Sequence, residues 1–291
     1  MQNDGKAKVS GEIDSNPNIF IATRIHLGKQ SNPPSQTKLE SMVSSFLNSA
    51  STIKATKAAI AVDSEEKIKG YDLVSSIQQA IKDVQEQSGT GQECEIVEVN
   101  PWGNFVNALN ALTSWACRSQ IEYGNSVIMF ISAETSLTKD SVDSMIKHMD
   151  DKTLVVGAAL PGHDYQGDGS GKGVEVALNG RTCAWNTLAA WNLEKLALTG
   201  FPLLADGLHR LGDGAPVAGG IEEVSTVLIQ QKINPTESKA KLVKIDGVEW
   251  EQKFEDEERR KWHEVKMNSK YTRAEVHRSL LGGIEGTAIH I

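Results

Sequence analysis

Apolar positions along this chain follow two alternating rhythms: short unbroken runs, and longer stretches in which they recur every three or four residues. The first run, Asn18–Ile19–Phe20–Ile21–Ala22, has the length of a buried strand and stops at Thr23–Arg24. Past a turn marked by Pro33–Pro34, the residues Leu39, Met42, Val43, Phe46 and Leu47 share one helical face. The alternation then repeats. Ala58 to Val62 ends at Asp63–Ser64, and Leu73, Val74, Ile77, Ile81 and Val84 line the next helix. Glu95 to Val99 stops at Asn100–Pro101 before a helix carrying Phe105, Leu109, Leu112 and Ala116. A fourth strand, from Ser126, stops at Ser132–Ala133–Glu134 and precedes Val142, Met145, Ile146 and Met149.

Strands each followed by an amphipathic helix imply right-handed crossovers, hence an α/β fold with a mostly parallel central sheet flanked by helices. Ligands in such sheets bind beyond the carboxyl ends of the strands, so Thr23–Arg24, Asp63–Ser64, residues 100–103 and residues 132–134 are expected to converge. After residue 150 the alternation weakens, although Leu154 to Ala159 and Val174 to Leu178 still read as strands. Between them, His163 to Gly173 is rich in glycine. Gly173 follows Lys172 where a phosphate loop needs Ser or Thr, so the segment reads as a turn-rich loop. From Cys183 to Pro202, Trp185 and Trp191 stand among Asn186, Thr187 and Asn192 ahead of a helix stop at Gly200. An aromatic face beside amides suits a pyranose, and Trp185 with Asn186 fits that role or the core equally. Trp191 shares a helical spacing with Leu188 and reads as core.

Composition narrows the classes. The 291 residues can bury one large domain, and a formal charge of −8 argues against a general nucleic-acid or anionic-membrane binder. No apolar run reaches a membrane span and the start lacks a signal-peptide core, so a cytoplasmic location is the default expectation. Cys94, Cys117 and Cys183 lack metal-type spacing and read as reduced, buried thiols. No Gly-x-Gly-x-x-Gly follows the first strand, which argues against a dinucleotide-dependent dehydrogenase.

In their order and spacing, residues 18–235 resemble the family-two-like glycosyltransferases with the GT-A nucleotide-diphosphosugar fold. Asn18 to Arg24 is similar to the family's first strand and donor loop, which makes Thr23 and Arg24 donor contacts, and Asp63 matches the residue that contacts the nucleoside. Trp102 to Ala111 resembles the helix under the donor, with Gly103 and Asn110 in place. Ser132–Ala133–Glu134 occupies the Asp-x-Asp position. Thr199–Gly200–Phe201–Pro202 looks like the turn beside the acceptor, and Gly220–Ile221–Glu222–Glu223 like the helix start that supplies the base. The first 17 residues, polar and without periodicity, read as a loose tail, and the rest as one domain with a Rossmann-like nucleotide-binding half (18–150), an acceptor-side half (151–250) and a C-terminal helical extension (251–291).

The likeness also implies a chemistry. An inverting transferase moves a sugar from a nucleotide-diphosphate donor to a glycan or other hydroxyl acceptor, with one base opposite the departing phosphate. Glu223 matches that base, and Glu222 is its alternative. Helix starts also favour acidic residues for electrostatic reasons alone. Glu134 and, from a late segment, His263 match metal positions, but Ser132 removes one negative charge, so any Mg²⁺ or Mn²⁺ is expected to bind weakly. Arg24, Lys266, Lys270 or Arg273 would then offset the diphosphate charge, the last three being spaced to share a helical face. Two other functions stay open: a catalytically inactive nucleotide- or glycan-binding protein, and a protein-interaction scaffold.

Overall fold

The computed structural model describes residues 17–28, 32–89, 91–104, 106–119, 125–207, 210–211, 215–216, 220–250 and 257–291. The first half is built as its periodicity predicts. Strand β1 (Asn18–Ile25) leads to helix α1 (Gln36–Thr52), β2 (Lys57–Asp63) to α2 (Leu73–Ser88), and β3 (Cys94–Val99) to α3 (Val106–Ser119). Strand β4 (Ser126–Ile131) is followed by the short β5 (Thr135–Leu137) and α4 (Lys139–Ile146). Side-chain caps fix several helix starts. Ser35 accepts from Lys38 N–H at 3.2 Å, Asp72 from Ser75 N–H at 3.1 Å, and Thr138 pairs with Ser141 in a reciprocal box. The hydrogen bonds from Ser75 also hold the Asp72 carboxyl below its usual range.

The second half departs from simple alternation. Strands β6 (Thr153–Ala158), β7 (Val174–Ala177) and β8 (Leu188–Asn192) come before α5 (Leu193–Thr199), which Asn192 caps, and a 3₁₀ turn at Leu203–Asp206. A two-residue pair, β9 (Arg210–Leu211) with β10 (Ala215–Pro216), precedes α6 (Glu222–Ile233). Then come β11 (Lys239–Val243), β12 (Val248–Trp250), α7 (Glu257–Asn268), α8 (Lys270–Leu280) and β13 (Thr287–His290).

Among the described residues, nine strands form the central sheet, in the order β3-β2-β1-β4-β8-β6-β11-β13-β7. Pairing is parallel from β3 through β4 and from β6 through β13. Strand β8 runs antiparallel between β4 and β6, and β7 runs antiparallel at the edge. The sheet separates two apolar layers because successive side chains point to opposite faces. Phe20, Ala22, Ile128 and Phe130 pack with α3, α5, α6 and α8, whereas Ile21, Ile25, Val127 and Met129 pack with α1, α2 and α4. No helix among the described residues is long and apolar enough to cross a membrane.

Two expectations are corrected here. Residues 188–192 are a strand, not part of a helix, and Trp191 is buried within it rather than on a helical face. The C-terminal extension is not wholly helical, because β13 joins the main sheet beside β11. Residues 1–16, in the expected tail, lie outside the described residues.

Strand β6 can approach the segment before β8 because residue 157 is glycine: a Cβ there would fall 2.5 Å from the Ala184 Cβ. Gly157→Val is therefore expected to lower stability by about 1–3 kcal/mol through overpacking. Urea unfolding measures this, and an unchanged midpoint would contradict the close packing.

Candidate functional site

Parallel pairing brings the carboxyl ends of β2, β1 and β4 side by side, with Arg24 level with Ala61 on β2. Arg24 follows Phe20 and Ala22 on one face of β1, the face covered by α6. Its guanidinium reaches 3.6 Å from Glu222 Oε1, and its side chain keeps 26% exposure. Glu222 and Glu223 open α6, where the helix dipole favours negative charge, yet both are buried.

A loop far away in sequence supplies the hydrogen bonds that burial demands. Asn186 donates its backbone N–H to Glu223 Oε1 at 2.6 Å and directs its side-chain amide toward Glu222 Oε1 at 3.4 Å. Trp191 Nε1 donates to Asn186 Oδ1 at 2.9 Å, which sets the orientation of that amide. Trp185 is fixed in turn. Its Nε1 donates to the Gly180 carbonyl at 2.8 Å, the His163 ring stacks on it at 3.6 Å, and Lys270 Nζ lies 4.0 Å from a ring centroid. At 3% exposure Trp185 offers no open face to a sugar, so it is a packed support and not a stacking platform.

These surroundings shift titrations. Burial, reinforced by the neighbouring Glu222, pushes the Glu223 carboxyl up to about 7, against the opposing pull of Lys270 and the Asn186 N–H. Burial raises the Cys183 thiol well above its usual value and drives His163 down to about 3. His163 is held neutral by geometry too, since Nδ1 accepts from Leu160 N–H at 2.9 Å and Nε2 lies 3.0 Å from the Cys183 carbonyl.

The turn after β4 adjoins this cluster. Ser132 N–H bonds to the Thr187 carbonyl at 2.9 Å, directly beside Asn186, and Glu134 follows in an exposed position. Glu134 is the one carboxylate in that turn, and the described residues contain no group of three side chains able to hold a metal. A hard divalent ion needs several oxygen donors, and Ser132 brings no charge, so this donor set does not fit a resident Mg²⁺ or Mn²⁺. The side chains of His263 and Lys266 lie outside the described residues.

Other predicted residues fall elsewhere. Thr23 is buried within β1. Asp63 is buried at the end of β2, where it pairs with Lys67 at 2.5 Å and accepts from Glu65 N–H. It borders a cleft of about 550 Å³ shared with Tyr71, Asp72 and Glu98. A larger hollow of about 800 Å³, lined by Asn48, Lys54, Ser88 and Gln92, lies at the opposite, amino-terminal edge of the strands. Asn110 braces the 201 turn, accepting from Phe201 N–H at 2.8 Å and donating to its carbonyl at 2.9 Å. It is therefore a structural residue, not a donor contact. Arg273 is on α8, half-buried, three residues beyond the buried Lys270.

The start of α3, expected beneath a donor, is closed by the chain's own carboxylate. Asp206 accepts from Val106 N–H at 2.8 Å and from Asn104 N–H at 3.0 Å. Gly103, at φ +68°, makes room, since a Cβ there would sit 2.6 Å from Asp206 Oδ2. Asp206 and His163 were not foreseen as parts of the site. Both act across long sequence separations and carry no local motif.

No protein-family model matches the chain, and no curated protein matches it. Several solved structures are distantly similar. A 4-diphosphocytidyl-2C-methyl-D-erythritol synthase from Anaerococcus prevotii has 10% identity and a TM-score of 0.43, over 87% of this chain and 100% of its own. A mycobacterial protein has 11% identity and a TM-score of 0.42, over 82% of this chain and 69% of its own. A nucleoside-diphosphate-sugar pyrophosphorylase from Vibrio cholerae has 12% identity and a TM-score of 0.41, over 79% and 93%.

Two outcomes are expected. Asp206→Ala leaves the Asn104 and Val106 amides without their acceptor and should cost about 1–3 kcal/mol in denaturant unfolding; an unaltered stability would show the cap to be dispensable. For Glu223, the folded-state value near 7 lies above the ordinary 4.5, so its contribution to stability is fully present below 4.5 and is lost as pH rises through 7. The difference in unfolding free energy between wild type and Glu223→Gln should therefore change across that window by on the order of 3 kcal/mol and level off above it. A flat difference would mean that Glu223 is not held protonated.

Proposed function

We propose that this protein binds a nucleotide-diphosphate sugar beyond the carboxyl ends of β1, β2 and β4 and transfers the sugar, with inversion, to a hydroxyl acceptor. The observation that carries this reading is the meeting of Arg24, Asn186, Glu222 and Glu223 at that edge. Three distant segments deliver a cation, an amide and a carboxyl whose proton affinity suits a base near neutral pH.

In the proposed step Glu223 takes the proton of the acceptor hydroxyl. The hydroxyl oxygen bonds to the anomeric carbon as the bond to the diphosphate oxygen breaks, and the nucleoside diphosphate leaves with that electron pair. Arg24, the partly exposed cation at the rim, offsets the negative charge that develops on the diphosphate. Asp63 contacts the nucleoside from the neighbouring cleft, with Ser132 and Glu134 flanking the donor. No step runs through a metal. A second reading, nucleotide or glycan binding without turnover, draws on the depth of Glu223, which is 4% exposed.

A thermal-shift panel of uridine and guanosine diphosphosugars tests the binding. At least one donor should raise Tm, with little further change on adding Mn²⁺; no response to any donor would contradict the proposal. With that donor, Glu223→Gln should lower transfer by about 10²–10⁴-fold while the donor's Tm shift persists, because the amide keeps the shape and cannot take the proton. Wild-type transfer should rise with pH through about 7. Donor binding with no transfer to any acceptor would favour the second reading, and full activity in Glu223→Gln would exclude Glu223 as the base.

A further inference from the structure

We propose that Lys270 is a positioning residue that sets the charge state of the Glu222–Glu223 pair, a role that rests on the reading of Glu223 as the base and deepens it. Lys270 opens α8 on the side that buries Ala274 and His277, and is itself 6% exposed. There α8 packs on α6, with Ala274 in the same apolar layer as Val224 and Val227. Lys270 Nζ lies 4.0 Å from a Trp185 ring centroid, and the next residue, Asn186, donates its backbone N–H to Glu223. Gly180 permits this approach, since a Cβ there would come 2.4 Å from the Lys270 carbonyl oxygen.

An ammonium taken out of water needs compensation. The indole face supplies part of it through the ring quadrupole, and a nearby carboxylate supplies more. Among the described residues, the charged and titratable groups around Glu223 include Glu222 on its own helix, Arg24 from β1 against Glu222, Cys183 from the loop before β8, and Lys270 from α8. His163 stands on the Trp185 side of Lys270. Of the two cations, Arg24 engages Glu222 at the rim, whereas Lys270 acts on Glu223 and opposes the combined effect of burial and Glu222. So buried a lysine holds an internal charge in place, a different task from the phosphate contact expected from its helical spacing with Lys266.

The test reads the titration directly and needs no substrate. Glutamate carboxyl ¹³C resonances, with Glu223 assigned through Glu223→Gln, are followed against pH in wild type, Lys270→Met and Lys270→Arg. Lys270→Met is expected to raise the proton affinity of Glu223 about tenfold or more, a shift of about one pH unit upward, and Lys270→Arg to restore it. An unchanged midpoint in folded Lys270→Met overturns the proposal. Should that variant fail to fold, the wild type decides: the Lys270 ¹⁵Nζ resonance should move in step with the Glu223 titration, and its indifference overturns the proposal. A shifted midpoint supports the role of Lys270 even if no nucleotide-sugar binds, so the two readings fail separately.

Discussion

Two carboxyl groups held out of water at the start of one helix constrain everything built around them. Burying a carboxylate without partners costs several kcal/mol, and a second beside it makes ionisation harder still. The chain answers by convergence. The α6 dipole, the Asn186 N–H, the Arg24 guanidinium and the Lys270 ammonium all act on the pair, each from a different element. Glu223 is left with a proton affinity poised near neutrality, a condition that suits a base and penalises stability above pH 7.

Those partners explain the irregular half of the sheet. Asn186 can meet α6 only if the loop before β8 is fixed, and β8 is inserted antiparallel between β4 and β6. The loop is pinned at several points. Asn179 Oδ1 accepts from the Arg181 and Thr182 N–H groups, Thr182 Oγ1 donates to Ala177, and His290 from the last strand lies 3.0 Å from the Thr182 carbonyl. The final strand thus supports the loop that supports Glu223. Stability and site geometry are linked through the same contacts, which is why Gly157 and Gly180, where backbones crowd, matter to both.

Local signals in the sequence account for one half of this molecule well. β1 to α4, apart from the short β5, follow periodicity and turn residues; the ends of β1 and β4 lie side by side, with Ser132 bonded to Thr187 next to Asn186, whereas Asp63 borders a cleft of its own at the end of β2. Glu222 and Glu223 are recognisable as a helix start, whereas Asn186 stands out only as an amide beside Trp185, and nothing local places it against the two glutamates 36 and 37 residues on. A strand buried on both faces shows no alternation, and β8 runs straight into α5, so Leu188 and Trp191 fall by chance at helical spacing. Trp185 suggested a sugar platform because its neighbours in sequence are polar. What covers it, His163 and Lys270, lies 22 and 85 residues away, beyond the reach of any local pattern. Asp206 escaped notice for the same reason, being about 100 residues from the amides it caps.

The central proposal is that one ligand binds beyond the ends of β1, β2 and β4, against the loop before β8. Hydrogen-exchange mass spectrometry with and without a nucleotide-diphosphate sugar tests it most directly, since exchange reports local opening segment by segment. The account predicts added protection in peptides spanning residues 22–26, 131–135 and 184–192. Protection confined to residues 48–56 and 88–93, around the hollow at the opposite edge of the sheet, would contradict it.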